Sequence, residues 1–290
     1  MNHSGSFLLG ERDGLCVIDC AICGFAHLDN IPNPDALTTY YASDFWQNDK
    51  PGALERMNEQ AEWWTAIHGD WLSLLARATL GRSLLDVGCG FGHFLDAAKR
   101  DGWKCTGLEP SAAAHAVARN KGHLVIMDGW EALTVGKHDA IVALWLIEHL
   151  PDPLAFLRWC AERLYGGGAL LIVAPHDFSD IQMRANGVVA RPFWFVHKTH
   201  LNYFNPMSLA GLLGRAGFRV IVHLTAYPME RFLCAKSDYT INDELGRQCH
   251  ARVEQFDLRM TSEQRIALYQ RWARRGVGRE IVFVAVKEGW

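Results

Sequence analysis

The sequence lacks any long apolar run. Its longest, such as Ala140–Ile147 and Ala169–Ala174, fall far short of a membrane span. The stretch Met1–Gly10 has no basic region leading into an apolar core, so no secretory signal is read there and a soluble, cytoplasmic chain is expected. Positive charge is not in excess: 29 Lys and Arg stand against 32 Asp and Glu, a net charge of −3, so no bulk basic field draws nucleic acid. The pattern G-x-x-x-x-G-K-[ST] does not occur, which disfavours a nucleoside triphosphate. The eight cysteines (Cys16, Cys20, Cys23, Cys89, Cys105, Cys160, Cys234 and Cys249) are scattered through a long chain and do not read as a disulfide framework. Internal repeats and low-complexity tracts are also missing.

What is present is ordinary globular material: 290 residues, 49% hydrophobic and 21% charged, enough for one large domain or a domain with a cap. Residues 1–52 read as an irregular segment, because Pro32, Pro34, Pro51 and several Gly and Asn residues interrupt any long element. From Ala53 to Thr79 the apolar residues recur near a 3.6-residue period, which predicts one helix ended by Gly81. Strands then alternate with helices. The strands are expected at Ser83–Val87, Lys104–Leu108, His123–Met127, Asp139–Leu144 and Ala169–Ala174, and the helices at Phe91–Asp101, Ser111–Lys121 and Pro153–Tyr165. A helix at Ser208–Ala216, a strand at Phe218–His223, a helical insert at about 225–278 and a last strand at Glu280–Lys287 complete the reading. The expected fold class is α/β: a parallel sheet covered on both faces, inside a domain spanning 53–290.

The sharpest local signal is Asp86-Val87-Gly88-Cys89-Gly90-Phe91-Gly92, where a strand ends and alternate glycines lead into a helix. Glycine suits a tight turn against which a ligand rests on bare main chain. The spacing is not that of a dinucleotide fingerprint, because the third glycine would fall at His93 or Leu95. Glu109 ends the next strand about twenty residues on, placed to accept hydrogen bonds from both hydroxyls of a ribose. Asp128, Gly129 and Trp130 follow the third strand, an acid to meet an adenine amine and an indole to cover its face. All three groups fall at carboxyl ends of neighbouring strands, where open α/β sheets hold ligands.

These motifs, together with Trp145-Leu146-Ile147-Glu148-His149-Leu150-Pro151-Asp152-Pro153, resemble the class I S-adenosylmethionine-dependent methyltransferases over roughly residues 80–223. The resemblance implies a Rossmann-like sheet that is mostly parallel with its last strand antiparallel. It also implies S-adenosyl-L-methionine as cofactor, in a site formed by Asp86, Gly88, Cys89, Gly90, Gly92, Glu109, Pro110, Asp128, Gly129, Trp130 and Leu144. Members of the family often carry an acid where Gly129 stands, so the adenine contact here is expected from the main chain. Asp35–Trp46, with Tyr40, Tyr41, Phe45 and Trp46, resembles the family's entry region and is expected to close over the cofactor as a lid. Cys89 is read as a small filler rather than a nucleophile.

Methyl transfer to a hydroxyl needs an acceptor brought into line and a base to take its proton. His149, after the fourth strand, is the expected base, and His200 in His200-Leu201-Asn202-Tyr203-Phe204 is a second candidate. His176 and His197 are weaker candidates, and Phe193-Trp194-Phe195 reads as an apolar wall. The expected acceptor is a small molecule or sugar-type compound, with no nucleic acid and no membrane as partner. The competing readings are a cofactor-binding module without turnover and an RNA methyltransferase. Some relatives bind a divalent metal through Glu-x-x-Glu-His, but Trp145 stands at the first of those positions, so no metal is assigned there. Cys20-x-x-Cys23-Gly24-Phe25 looks like the second half of a zinc ribbon without its first pair. Cys16 and His27 would complete only an uncommon spacing, so the cysteines are read as packed side chains.

Overall fold

The computed structural model describes residues 6–132, 136–189 and 199–288. The segment read as irregular is in fact ordered as a small sheet. Strands β1 (Phe7–Arg12), β2 (Leu15–Cys20) and β3 (Phe25–Leu28) form an antiparallel meander. Its first turn is Asp13-Gly14, both with positive φ, a two-residue hairpin turn whose twist suits the flanking strands. Helix α1 (Pro34–Ser43) follows, capped by Asn33, whose side chain accepts from the Asp35 amide. A short helical turn, Phe45–Asp49, comes next. The single helix expected over 53–79 is two: α2 (Ala53–Glu59) and α3 (Ala61–Ala78), parted at Gln60.

The principal sheet begins with β4 (Ser83–Val87), α4 (His93–Arg100), β5 (Lys104–Leu108), α5 (Ala112–Asn120) and a β6 cut down to Val125–Ile126. It continues through β7 (His138–Leu144), α6 (Pro153–Arg163) and β8 (Leu164–Pro175). The chain then passes α7 (Asp180–Asn186), β9 (Asn202–Tyr203), α8 (Pro206–Arg215) and β10 (Phe218–Leu224). The insert contains α9 (Glu230–Cys234), α10 (Asp243–Leu258) and α11 (Ser262–Ala273), and β11 (Glu280–Lys287) ends the fold. Strand order is β10-β11-β8-β7-β4-β5-β6. The pairs among β4 to β8 are parallel, and β11 runs antiparallel between β8 and β10. This is the Rossmann-like methyltransferase sheet that the sequence led us to expect.

Each strand of this sheet is buried on both sides, so its residues divide between two cores. Leu85, Val87, Ile141, Ala143 and Ile172 face α6 and α8, while Leu84, Ala140, Val142, Leu171 and Val173 face α3, α4 and α11. The two longer insert helices lie along α3. Arg265, on α11, pairs with buried Asp70 of α3 through two bonds of 2.5 and 2.8 Å. The Trp63 indole donates to Asp257 at 2.8 Å. The meander is completed by β9, which pairs with β3 as a fourth strand. Through that pairing the first residues of the chain are tied to the loop carrying His200. Among the described residues no helix is long and apolar enough to cross a membrane.

Candidate active site

The glycine turn after β4 has the conformation its residue types require. Gly88, Gly90 and Gly92 have φ of +74°, +52° and +80°, a region that side chains with a Cβ rarely adopt. The Gly88 and Cys89 amides both donate to the Leu108 carbonyl at 2.9 Å, which locks the turn onto β5. A Cβ on Gly107 would fall 2.6 Å from the Cys89 sulfur. Cys89 therefore fills the space that Gly107 leaves, and burial pushes its thiol pKa up, as expected of an inert packed cysteine.

Glu109 is 4% exposed and stands across the turn. Its Oε2 accepts from the Gly90 amide at 2.8 Å and its Oε1 from the Ser111 amide at 3.0 Å. Burial raises its pKa, while these amides and a hydrogen bond from Trp46 oppose the rise. Asp86, in β4, is buried beside it and pushed up to about 8, first by burial and then by the Glu109 charge. Its Oδ2 has no hydrogen-bond partner among the described residues. Bare main chain, a buried carboxylate and an orphaned carboxyl oxygen together fit a polar ligand such as a nucleoside carrying a charged tail. Pro110 follows Glu109 directly, and Leu144 ends β7.

The groups after β6 are less committed. Asp128 is exposed, and its Oδ1 accepts from the Gly129 amide at 2.8 Å. Trp130 packs edge-on against Phe156 and Trp159, with centroids 5.5 and 5.9 Å away, so one side of the indole belongs to the core. The aromatic segment ahead of α2 lies against the glycine turn: the Trp46 ring is 4.4 Å from Phe91, and a Cβ on Gly90 would come within 3.1 Å of Trp46.

His149 ends a helical turn, Ile147–His149, just past β7. It is 8% exposed, and its Nδ1 lies 2.7 Å from the Thr199 carbonyl. A carbonyl only accepts, so Nδ1 carries the hydrogen and the ring's lone pair falls on Nε2. Tyr41 Oη stands 3.0 Å from the same Nδ1 and 3.3 Å from the Thr199 oxygen. The rings of Tyr41 and Phe45 meet the imidazole edge-on at 5.6 and 5.9 Å, and that of His200 at 4.9 Å. Glu148 Oε1 is 3.8 Å from His149 Nε2, and ligand atoms of Glu148, His149 and His200 all lie within 4.8 Å of one another. Asn202, on β9, holds this turn in place by donating to the carbonyls of Ile147 and Leu150 at 3.1 and 2.7 Å.

Buried acids surround the turn. Burial drives Glu148 well above the usual carboxylate range. It also lifts Asp177, two residues beyond β8, to about 8 and Glu280, the first residue of β11, to about 7. Trp145 stands where some relatives carry a ligand Glu, and its indole donates to Glu280 at 2.8 Å. His149 and His200, read from the sequence as alternative bases in separate segments, are neighbours in the fold. His176 stands apart from their cluster, while its amide donates to the Arg279 carbonyl. His197 and Phe193-Trp194-Phe195 lie outside the described residues. Sequence reasoning missed Thr199, Asn202, Asp177 and Glu280. Of these, only Asn202 had a signal, as a polar residue inside an apolar phrase.

Comparison with known proteins bears on the family and the fold. Residues 56–223 match the family described as "Methyltransferase domain". A ubiquinone biosynthesis O-methyltransferase from Vibrio parahaemolyticus is 28% identical over 144 residues, 42% of this chain and 61% of that protein. A namesake from Ralstonia nicotianae is 26% identical over 208 residues, 62% of this chain and 84% of its own. The chain thus spans about three fifths of the Vibrio relative's length. Among solved structures, the plantazolicin methyltransferase BpumL in complex with SAH superposes with a TM-score of 0.54 at 14% identity, covering 88% of this chain and 95% of the other. A SAM-dependent methyltransferase from Archaeoglobus fulgidus does so with a TM-score of 0.50 at 19% identity, over 76% and 93%. These two likenesses concern the fold alone. With the family match covering more than half of its length, the chain belongs to the class I S-adenosylmethionine-dependent methyltransferases.

Proposed function

We propose that this protein transfers a methyl group from S-adenosylmethionine to a hydroxyl of a small, sugar-type or phenolic acceptor, with His149 as the base. The observation carrying this reading is the 2.7 Å contact between His149 Nδ1 and the Thr199 carbonyl, which leaves Nε2 as the proton-accepting atom. The bound cofactor supplies an electrophilic methyl group on a sulfonium. Gly88, Gly90 and Gly92 admit it against main chain, with Asp86 and Cys89 behind the turn. Glu109 holds the ribose, with Pro110 fixing the strand exit. Asp128, Gly129 and Trp130 flank the adenine, and Leu144 contributes from β7. Tyr41 and Phe45 cover the imidazole and keep water from it. Burial pushes the Glu148 carboxyl up, which disfavours its charged form beside His149. His200 lines the same pocket and orients the acceptor.

The O-methyltransferase names of the relatives support a hydroxyl acceptor. The test is release of S-adenosylhomocysteine in the presence of a panel of phenols and nucleotide sugars. His149→Ala should lower kcat by about 10²–10⁴-fold, the usual contribution of a positioned base, with cofactor Kd nearly unchanged. Unaltered kcat across the pH range removes His149 as the base. A rate abolished by EDTA and restored by a divalent ion would replace the base with a metal held by Glu148, His149 and His200.

A further inference from the structure

A second cluster of side chains lies in the N-terminal meander, outside the cofactor site. We propose that Cys20, Cys23 and His27 form a metal site that takes zinc, with three protein donors and one exchangeable position.

The backbone dictates the grouping. Cys20 ends β2 and Phe25 begins β3, and the turn between them closes with the Gly24 amide on the Cys20 carbonyl at 2.8 Å. Gly24 has φ of +78°, a conformation that lets the chain fold back in so few residues. The Cys23 amide then points at the Cys20 sulfur, 3.4 Å away. His27 arrives by strand register. It sits opposite Ile18, which lies two residues before Cys20 on β2, so alternation puts Cys20 and His27 on the same face.

The chemistry of the donors agrees. His27 Nδ1 is 2.7 Å from the Leu28 carbonyl, which only accepts, so the hydrogen is on Nδ1 and the lone pair on Nε2. That arrangement fixes both tautomer and ring orientation, as a carbonyl behind a ligating histidine does. One ligand atom from each of the three residues lies within 4.8 Å of the others. With metal–ligand bonds of about 2.0–2.3 Å, donors around a tetrahedral zinc stand roughly 3.5–4 Å apart, so little closure is needed. Two sulfurs and one imidazole favour zinc over magnesium or calcium. Cys16, the fourth residue of the spacing, is outside the group. A redox role for the Cys-x-x-Cys pair fits poorly, because Cys20 is 0% exposed and closed to an attacking thiol. The site would staple the turn whose Cys23 carbonyl accepts from Arg215 of α8 at 2.7 Å, and so seat the meander on the main domain.

The test uses the full chain, produced with zinc in the medium and kept reduced. Elemental analysis should find about one zinc per chain, the stoichiometry of a single structural site. After metal removal, Co²⁺ should give thiolate-to-metal charge-transfer absorption in the near ultraviolet. Cys23→Ser and His27→Gln should lose both signals. The exposed Cys234→Ser and the distant His149→Ala should keep them, the latter separating this site from the cluster around Glu148. Cys23 is half-buried, so its serine variant tests the proposal even if Cys20→Ser does not fold. Wild-type protein without zinc and without a charge-transfer band overturns the proposal. So does wild-type metal binding by Cys23→Ser.

Discussion

Glu109→Gln keeps the shape of the side chain and removes its charge. In the native site each carboxylate oxygen already accepts a main-chain N–H, from Gly90 at 2.8 Å and from Ser111 at 3.0 Å. A glutamine has one oxygen and one NH₂ group, so one of those two amides must face another donor. Leaving a buried donor unsatisfied costs about 1–3 kcal/mol, and the bond to a ribose hydroxyl falls from charge-assisted to neutral strength, by about a further 1 kcal/mol. The buried-donor cost is present with or without ligand, so the part felt by the cofactor is the second, about 1 kcal/mol, or roughly 5-fold weaker binding. Isothermal titration of the wild type and the variant with S-adenosylhomocysteine measures this directly. Asp128→Asn is the control. Its side chain is exposed and its Oδ1 can still accept the Gly129 amide, so its effect should stay within about threefold, as expected of an exposed contact. Equal Kd values for Glu109→Gln and the wild type would refute the placement of the ribose. A larger loss for Asp128→Asn than for Glu109→Gln would move the anchor to the end of β6.

Asn202→Ala should strand the buried carbonyls of Ile147 and Leu150 and cost about 1–3 kcal/mol of stability in urea unfolding. It should also lower kcat more than cofactor affinity, because the turn it releases carries His149 rather than the glycines. Asp177 gives a pH signature. Its carboxyl is pushed up to about 8 in the fold, above its ordinary value, so the native state holds a proton that the unfolded chain releases. That contribution is complete in acid and lost as pH rises toward 8, so Asp177→Asn should flatten the fall in Tm between pH 5 and pH 8. An unchanged profile would remove Asp177 from the account. Asp70→Ala should destabilise by about 3–5 kcal/mol in urea, because it leaves the buried Arg265 guanidinium without its partner. A loss below about 1 kcal/mol would mean that water reaches the pair.

The principal sheet was readable because its strands are short apolar runs between glycines, and β11 falls on the expected residues, Glu280–Lys287. β8 starts five residues before its expected Ala169: Leu164 already pairs with His138, and Gly166–Gly168, with Gly167 at φ +76°, bulge out before Ala169 pairs with Ala140. The meander was missed because Phe7 and Leu8 of β1 are exposed, which removes the alternation that marks a half-buried strand. Asp13-Gly14 is a hairpin-turn pair that the reading of residues 1–52 as irregular passed over. In the site, glycines and Glu109 were legible because their chemistry resides in their residue types. The partner of His149 was not: it is the main-chain carbonyl of Thr199, and every residue has one.

Pairing of β3 with β9 joins residues near 26 to residues near 203. The roughly 175 residues between those strands must be synthesised before that ladder can close, and contacts so distant in sequence form late. Until then the β3 edge of the meander is unsatisfied, open to pairing with a stray strand from another nascent chain. Once closed, the same ladder makes β1 to β3 a brace for the loop beside His149, so trimming them should slacken that loop.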